Sequence, residues 1–305
     1  MKNFKSTMIY VMAAVTAVSV TLTSCEEELN NYAPERPIGG YSSAKQIAPD
    51  NLVAHWAFEG NVADSVANLT GAGTNVTYAA GKKGQAYKGA ADGYAVFSDA
   101  GTAIPALNSF TIAFWMNTPQ AEKATGIFAI NNNKDFWGNL DIYLESYVQK
   151  GVPNPDTLFL KVHMNNDNVA WKGQFTDAKI PAAVGRWVHI AATYDATTSK
   201  YSLYANGLEV GVNTAGNPAN TKGPVLNGDD PASNPVKYGP LKFVNANALA
   251  FGAMQFQTNP PLTGSATAQD WATNFSGLLD EFRIYDRALP ASDISALFKL
   301  ENLGR

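Results

Sequence analysis

From Asn51 onward, short β-rich runs alternate with clusters of Asn, Gly, Asp and Pro. The runs are "LVAHWAF", "QAYKG", "YAVF", "SFTIAFWMN", "TGIFAI", "NLDIYLE", "TLFLKVHM", "RWVHIAATYD", "KYSLYA", "LEVGV", "ALAFGAM" and "LLDEFRIYD". In several of them apolar and polar residues alternate, the period of a strand with one face buried. Asn206-Gly207 joins two runs and suits a type I′ hairpin, because both residues accept positive φ. After Pro290 the period changes: Ile294, Leu297 and Phe298 recur at helical spacing. The pattern predicts an all-β fold, a two-sheet antiparallel sandwich or jelly roll with a short C-terminal helix. It continues without a boundary or repeat, so residues 51–305 read as one domain.

The faces differ in chemistry. Ile112, Phe114 and Met116 oppose Thr111, Ala113, Trp115 and Asn117. Leu140, Ile142 and Leu144 oppose Asn139, Asp141, Tyr143 and Glu145, and Leu158, Leu160, Val162 and Met164 oppose Phe159, Lys161, His163 and Asn165. Rings beside Asn, Asp, His and Lys fit a carbohydrate-binding surface. A ring offers a plane to the C–H face of a sugar, and the polar groups bond its hydroxyls. The candidates are Trp137, Tyr143, Phe159 and His163, with Trp115 and Trp171 behind them.

The N-terminus carries a separate message. Lys2 and Lys5 precede an uncharged apolar run, "TMIYVMAAVTAVSVTLTS", too short for a comfortable membrane span. "LTSC" ends at Cys25, the only cysteine, and resembles the bacterial lipoprotein box. The resemblance implies a signal peptide over residues 1–24, acylation of Cys25 and an acylated tether over residues 25–50. Several acyl chains hold a protein on a bilayer where one does not. Glu26-Glu27-Glu28 resemble the export signal of Bacteroidota-type surface lipoproteins, which implies an outer-membrane lipoprotein facing the cell exterior. A net charge of −4 disfavours nucleic acid as a partner.

"LVAHWAFEGNVADS", "RWVHIAATYDATTSKYSLYANGLEVG" and "GLLDEFRIYDRALPASDISALF" together resemble the laminin-G-like jelly roll of the concanavalin A-like lectin and glucanase superfamily. The resemblance implies a structural Ca²⁺ held by Glu59, the carbonyl of Gly60, Asp64 and Asp280, hard oxygen donors of the kind calcium takes. It also raises hydrolysis, because laminarinase-type members carry E-x-D-x-E on a strand. Here "NLDIYLE" puts the amide of Asn139 at the nucleophile position. Asp141 and Glu145 then lie roughly 13 Å apart along the strand, too far for a hydrolytic pair. The expected function is therefore non-catalytic glycan capture beside an outer-membrane transporter. An adhesion or assembly protein is the alternative, and a glycosidase the weaker one. Residues 213–244 read as an inserted loop.

Overall fold

The computed structural model describes residues 35–147, 156–213, 225–228 and 236–305. The signal peptide, Cys25 and Glu26–Glu28 lie outside the described residues. Ile38–Arg305 form one compact unit.

Strands are numbered in chain order. One sheet runs β2 (Ala72–Thr74), β5 (Tyr94–Phe97), β14 (Leu249–Phe251), β7 (Ala124–Ile130), β8 (Leu140–Leu144), β9 (Thr157–Asn165), β10 (Gly173–Pro181). The other runs β13 (Leu208–Asn213), β12 (Lys200–Ala205), β11 (Val188–Asp195), β6 (Phe110–Asn117), β16 (Leu278–Tyr285), β4 (Gln85–Lys88), β3 (Thr77–Ala80). β1 (Leu52–Trp56) pairs with β16, and β15 (Ala272–Asn274) pairs in parallel with β7; the other pairs are antiparallel. β13 also pairs with β10 at Thr176 and Asp177, joining the two sheets along one side. The expected two-sheet sandwich with a C-terminal helix is the architecture found.

The alternating apolar residues meet between the sheets. Ile112, Phe114 and Met116 share one core with Leu140, Ile142, Leu144, Leu158, Leu160, Val162 and Met164. At its centre Trp56 stands edge-on to Phe251 at 5.0 Å and to Phe97 at 5.6 Å. These are geometries in which the positive ring edge meets the negative ring face. β10 is the main strand that the pattern of runs does not predict. Its inward positions begin with Gln174 and Thr176, polar yet fully buried, so the apolar half of the alternation starts only at Ala178.

Both outer faces are partly covered. Helix α1 (Ala291–Asn302) lies on the outer face of the second sheet, packing Ile294, Leu297 and Leu300 over Ala113, Ala191 and Tyr285. A buried charge network fixes it there. Arg283 of β16 pairs with Glu301 of the helix and Glu281 of its own strand. The Trp115 indole N–H donates to Glu301 at 2.8 Å, and His55 reaches Glu281 at 3.1 Å. Burial works against a charge on Glu281, but the His55 hydrogen bond and the Arg283 charge pull its carboxyl down to about 2. His189, sealed beside Trp115, is pushed down to about 3 by burial and then by Arg283, so it stays neutral.

Residues 38–50, expected within the tether at 25–50, are instead packed against the domain. Ile38 bridges Tyr41, Ala44 and Ile47 are buried against the helix cluster, and the Ala44 N–H donates to the Arg305 carbonyl. The packed unit thus begins at Ile38 rather than Asn51, because apolar residues spaced among the glycines and prolines find the helix. Part of the 213–244 insertion is likewise packed, with Leu226, Tyr238, Leu241 and Phe243 in the core.

Candidate functional site

The outer face of the first sheet presents rings and charges in register. Asp141, His163 and Phe175 stand side by side across β8, β9 and β10. Tyr143, Lys161 and Asp177 form the next row, and Phe159 faces Lys179 in the row after that. Lys161 binds Glu145 at 3.3 Å and stands 5.0 Å over the Phe175 ring, while Lys179 stands 5.5 Å over Phe159. Such contacts hold a cation against an aromatic face, and Lys161 is held from the other side by Glu145.

This face is only partly open, which corrects three expectations. Tyr143 and His163 are each about 2% exposed. The segment from Met254 to Ala272 folds over Tyr143, burying it with Met254, Phe256 and Ala272, while Trp137 and Phe175 pack on His163. Trp137 stacks on Tyr143 at 5.7 Å and leans on His163 at 5.4 Å. Trp115 lies on the other sheet, beneath α1, and reaches no open surface. The alternation places these side chains on an outer face, as the sequence predicts, but a later stretch of chain seals them. Trp137, Phe159 and Trp171 are half-buried, each with part of its surface toward solvent. Phe175 and Trp271 join them and are absent from the sequence candidates. The outward row Gly173, Phe175, Asp177, Lys179 is the signal that would have found Phe175.

Beneath the half-open rings sits a closed pair. His163 Nδ1 meets Asp141 Oδ2 at 3.0 Å, and Asp141 Oδ1 is buried without a hydrogen-bond partner. Burial pushes the Asp141 carboxyl up, and the His163 hydrogen bond pulls it part of the way back. Burial, then the charges of Glu145 and Asp141, also push the Tyr143 hydroxyl up. Asp141 therefore serves the covered cluster rather than an open cleft.

At the end of this face an asparagine hub ties three loops together. Asn139 donates to the carbonyls of Asn131 (2.5 Å) and Val244 (2.8 Å), and its side-chain oxygen accepts the Val244 N–H at 3.0 Å. Asn131 bonds Asn247, Ala248 and Leu262. Asn166 bonds the carbonyls of Tyr238 and Pro240 and the Lys242 N–H. These amides take the place of backbone pairing, satisfying loop donors and acceptors that burial would otherwise strand. The loops enclose a polar cleft of about 210 Å³ lined by Asn132, Asp135, Asn165, Asp167, Lys172 and Asn245, among others.

The four proposed calcium ligands do not form one set. Asp64 Oδ1 accepts the N–H groups of His55 and Val66, and Oδ2 those of Ala67 and Leu69. Its carboxylate is consumed in shaping its own loop, which corrects its place among the ligands. Glu59, Gly60 and Asp280 do converge on the turn at residues 81–85. Glu59 accepts the Gln85 N–H at 3.0 Å, Asp280 accepts the Lys83 N–H at 2.8 Å, and a Cβ on Gly60 would stand 3.1 Å from the Gln85 side chain. A Cβ on Gly81 or Gly84 would run into one of these carboxylates, so the turn is cut to fit them. Among the described residues, no three Asp, Glu, His or Cys side chains make a metal cluster.

Burial raises the Asp280 carboxyl to about 7, backbone donors from Lys83 oppose the shift, and the Glu281 charge adds to it. The native state then holds a proton that the unfolded chain releases near pH 4. Stability falls as pH rises from about 4 to 7 and stays reduced above that, by on the order of a few kcal/mol. Asp280→Asn should therefore raise the thermal midpoint at pH 8 but not at pH 4, and a shift equal at both pH values overturns the assignment.

No curated protein sequence matches this chain. Among solved structures it is similar to domain 4 of the extracellular arabinanase AbnA from Geobacillus stearothermophilus, solved with arabinotriose. That match has 21% identity and a TM-score of 0.50 and covers 81% of this chain and 98% of that one. It is also similar to the binding domain of botulinum neurotoxin serotype D/C, with 16% identity and a TM-score of 0.53, covering 83% of this chain and 52% of that one. The toxin type DC binding domain in complex with SialylT matches at 15% identity and a TM-score of 0.50, with 83% and 52% covered. This chain thus spans about half the length of the toxin domains. These likenesses establish a shared sandwich fold. The family model described as the concanavalin A-like lectin/glucanases superfamily matches residues 88–246, more than half of the chain, and the protein belongs to that superfamily.

Proposed function

We propose that this protein binds carbohydrate without cleaving it, on the outer face formed by β8, β9 and β10. The observation that carries the reading is the set of half-open rings on this face, Phe159 and Phe175 on the strands and Trp137 packed beside Phe175, among Lys161, Asp177 and Lys179. Rings supply stacking planes and the side chains between them supply hydrogen bonds, the combination that fixes a small polar ligand in a set orientation. The arabinotriose bound to the arabinanase domain and the SialylT bound to the toxin domain support a glycan as ligand by analogy. A glycan array probed with the purified chain tests the reading. Trp137→Ala and Phe159→Ala should each weaken binding about tenfold or more, the usual cost of removing a buried anchor from a ligand. Binding to no glycan, or binding indifferent to both changes, refutes it.

The same reading places the protein on a membrane through acylated Cys25, exported to the cell exterior and working beside an outer-membrane transporter. "LTSC" and the acids after it support this part. Mass spectrometry of the detergent-extracted chain tests it: an unacylated Cys25 removes the anchor. Calcium is the remaining component, held by Glu59 and Asp280 over the glycine-cut turn, where it would supply the positive charge that buried Asp280 lacks. Calcium at pH 8 should raise the thermal midpoint of the wild type and leave that of Asp280→Asn unchanged. An equal response from both discards the ion.

A further inference from the structure

The polar cleft beside the asparagine hub is not isolated. A second cleft, of about 400 Å³, is lined by Asn131, Asn133, Asn247 and Thr263, among others. Successive residues of one loop therefore line the two clefts in turn, with Asn131 and Asn133 in the second and Asn132 and Lys134 in the first. The loop at 244–248 does the same, with Asn245 in the first and Asn247 in the second. These two loops are thus common to both clefts. Ser98 then lines both the second cleft and a third, of about 490 Å³, bounded by residues 67–70 and 98–104. Three depressions thus adjoin one another through shared loops, the first bordered by Asn139 and Asn165 beside β8 and β9.

Their chemistry is mostly neutral and polar. The second cleft has no charged residue in its lining, and the third has only Asp99. The first has two lysines and two aspartates, and Lys172 is spent on Asp167. Amides, hydroxyls and backbone groups make up most of the remaining polar surface, including Asn68, Thr70 and Thr102. Such a surface exchanges hydrogen bonds with neutral hydroxyls and gives an anion no cationic cluster to bind.

We infer that the three clefts form one furrow that takes a run of several sugar units along a neutral polysaccharide, rather than a single terminal sugar. The inference rests on the glycan reading above and specifies the ligand class. Binding energy then accumulates along the chain, because each unit seated in the furrow adds contacts after the association entropy has already been spent on the first. The cleft at Asn139 and Asn165 holds one end of the run, and the cleft beyond Ser98 holds the other.

Titration of the full chain with size-graded ladders of neutral arabino-, xylo-, gluco- and manno-oligosaccharides, from two to eight units, tests this. For the ladder that binds, affinity should rise at least tenfold between two and six units and then level off. Ser98→Trp, which fills the middle of the furrow at an exposed position, should return the six-unit affinity to that of a short oligomer on the wild type, with the thermal midpoint kept as a check on folding. Uronic-acid and sulfated polymers should not compete. Equal affinity for two and six units, or a Ser98→Trp protein with undiminished six-unit binding, overturns the furrow and leaves the glycan reading standing. Tight binding of a polyanion alone also overturns the neutral-chain inference. Binding of no carbohydrate overturns both.

Discussion

Replacing Glu301 with Ala is expected to destabilise the protein by about 3–5 kcal/mol, the usual cost of removing one partner of a buried ion pair. The change strands Arg283, which is 3% exposed and has only Glu281 left as a charged partner, and it removes the acceptor of the Trp115 indole. Arg283→Ala should cost a similar amount by leaving buried Glu301 without its cation and Glu281 with only Lys83, at 3.9 Å, as a cationic partner. The paired change Arg283→Met with Glu301→Leu should recover much of the loss, because it removes both desolvated charges at once. Chemical denaturation of the wild type, this double variant and its two component changes, Arg283→Met and Glu301→Leu, measures the cycle. A double variant as unstable as the sum of the singles would show that the pair is uncoupled. Because α1 also shelters His189 and Trp115, each single change should expose the outer face of the second sheet and raise dye binding to apolar surface.

The second large effect is expected at Asn139. Asn139→Asp keeps the shape and the acceptor for the Val244 N–H but turns two donated hydrogen bonds into contacts between a carboxylate and carbonyl oxygens. At a site 1% exposed this should cost about 3–5 kcal/mol, combining unsatisfied carbonyls with a buried charge. The change places a carboxylate where a glucanase of this superfamily would have its nucleophile, yet the structure gives it no catalytic setting: the neighbouring carboxylate on that face, Asp141, is sealed against His163. A loss of stability without a gain in glycan hydrolysis is the predicted pair of results. Hydrolysis of a polysaccharide by Asn139→Asp would show that the position retains an active-site geometry.

Asn139 also shows how far the sequence could be read. Its strand, its outward direction and its departure from the E-x-D-x-E pattern were all legible, because a period of two states which residues share a face. Its task was not, since its three partners come from Asn131 and Val244, and the tie to Val244 spans 105 residues. The same limit governs the candidate rings. Tyr143 and His163 do stand on the outer face, but whether that face is wet depends on Met254, Phe256 and Ala272, whose run gives no periodic sign of folding back. Phe175 went unseen for the opposite reason: two polar inward residues hid its strand. Asp64, read as a ligand by resemblance, turned out to be spent on four neighbouring amides, a local demand that a motif does not display. The opening strand, the Asn-Gly hairpin and the C-terminal helix were legible because each depends on residues close together in the chain.

The join made by β13 has a consequence for association. With the two sheets linked there, the pairing order runs without a break from β2 to β3, and both outermost strands lie in the single stretch at residues 72–80. They are three and four residues long. A neighbouring molecule seeking to extend this order at either end would find only these short rims, too brief to template a stable intermolecular ladder. Crowding many copies together should therefore not promote fibril-like stacking through these two ends.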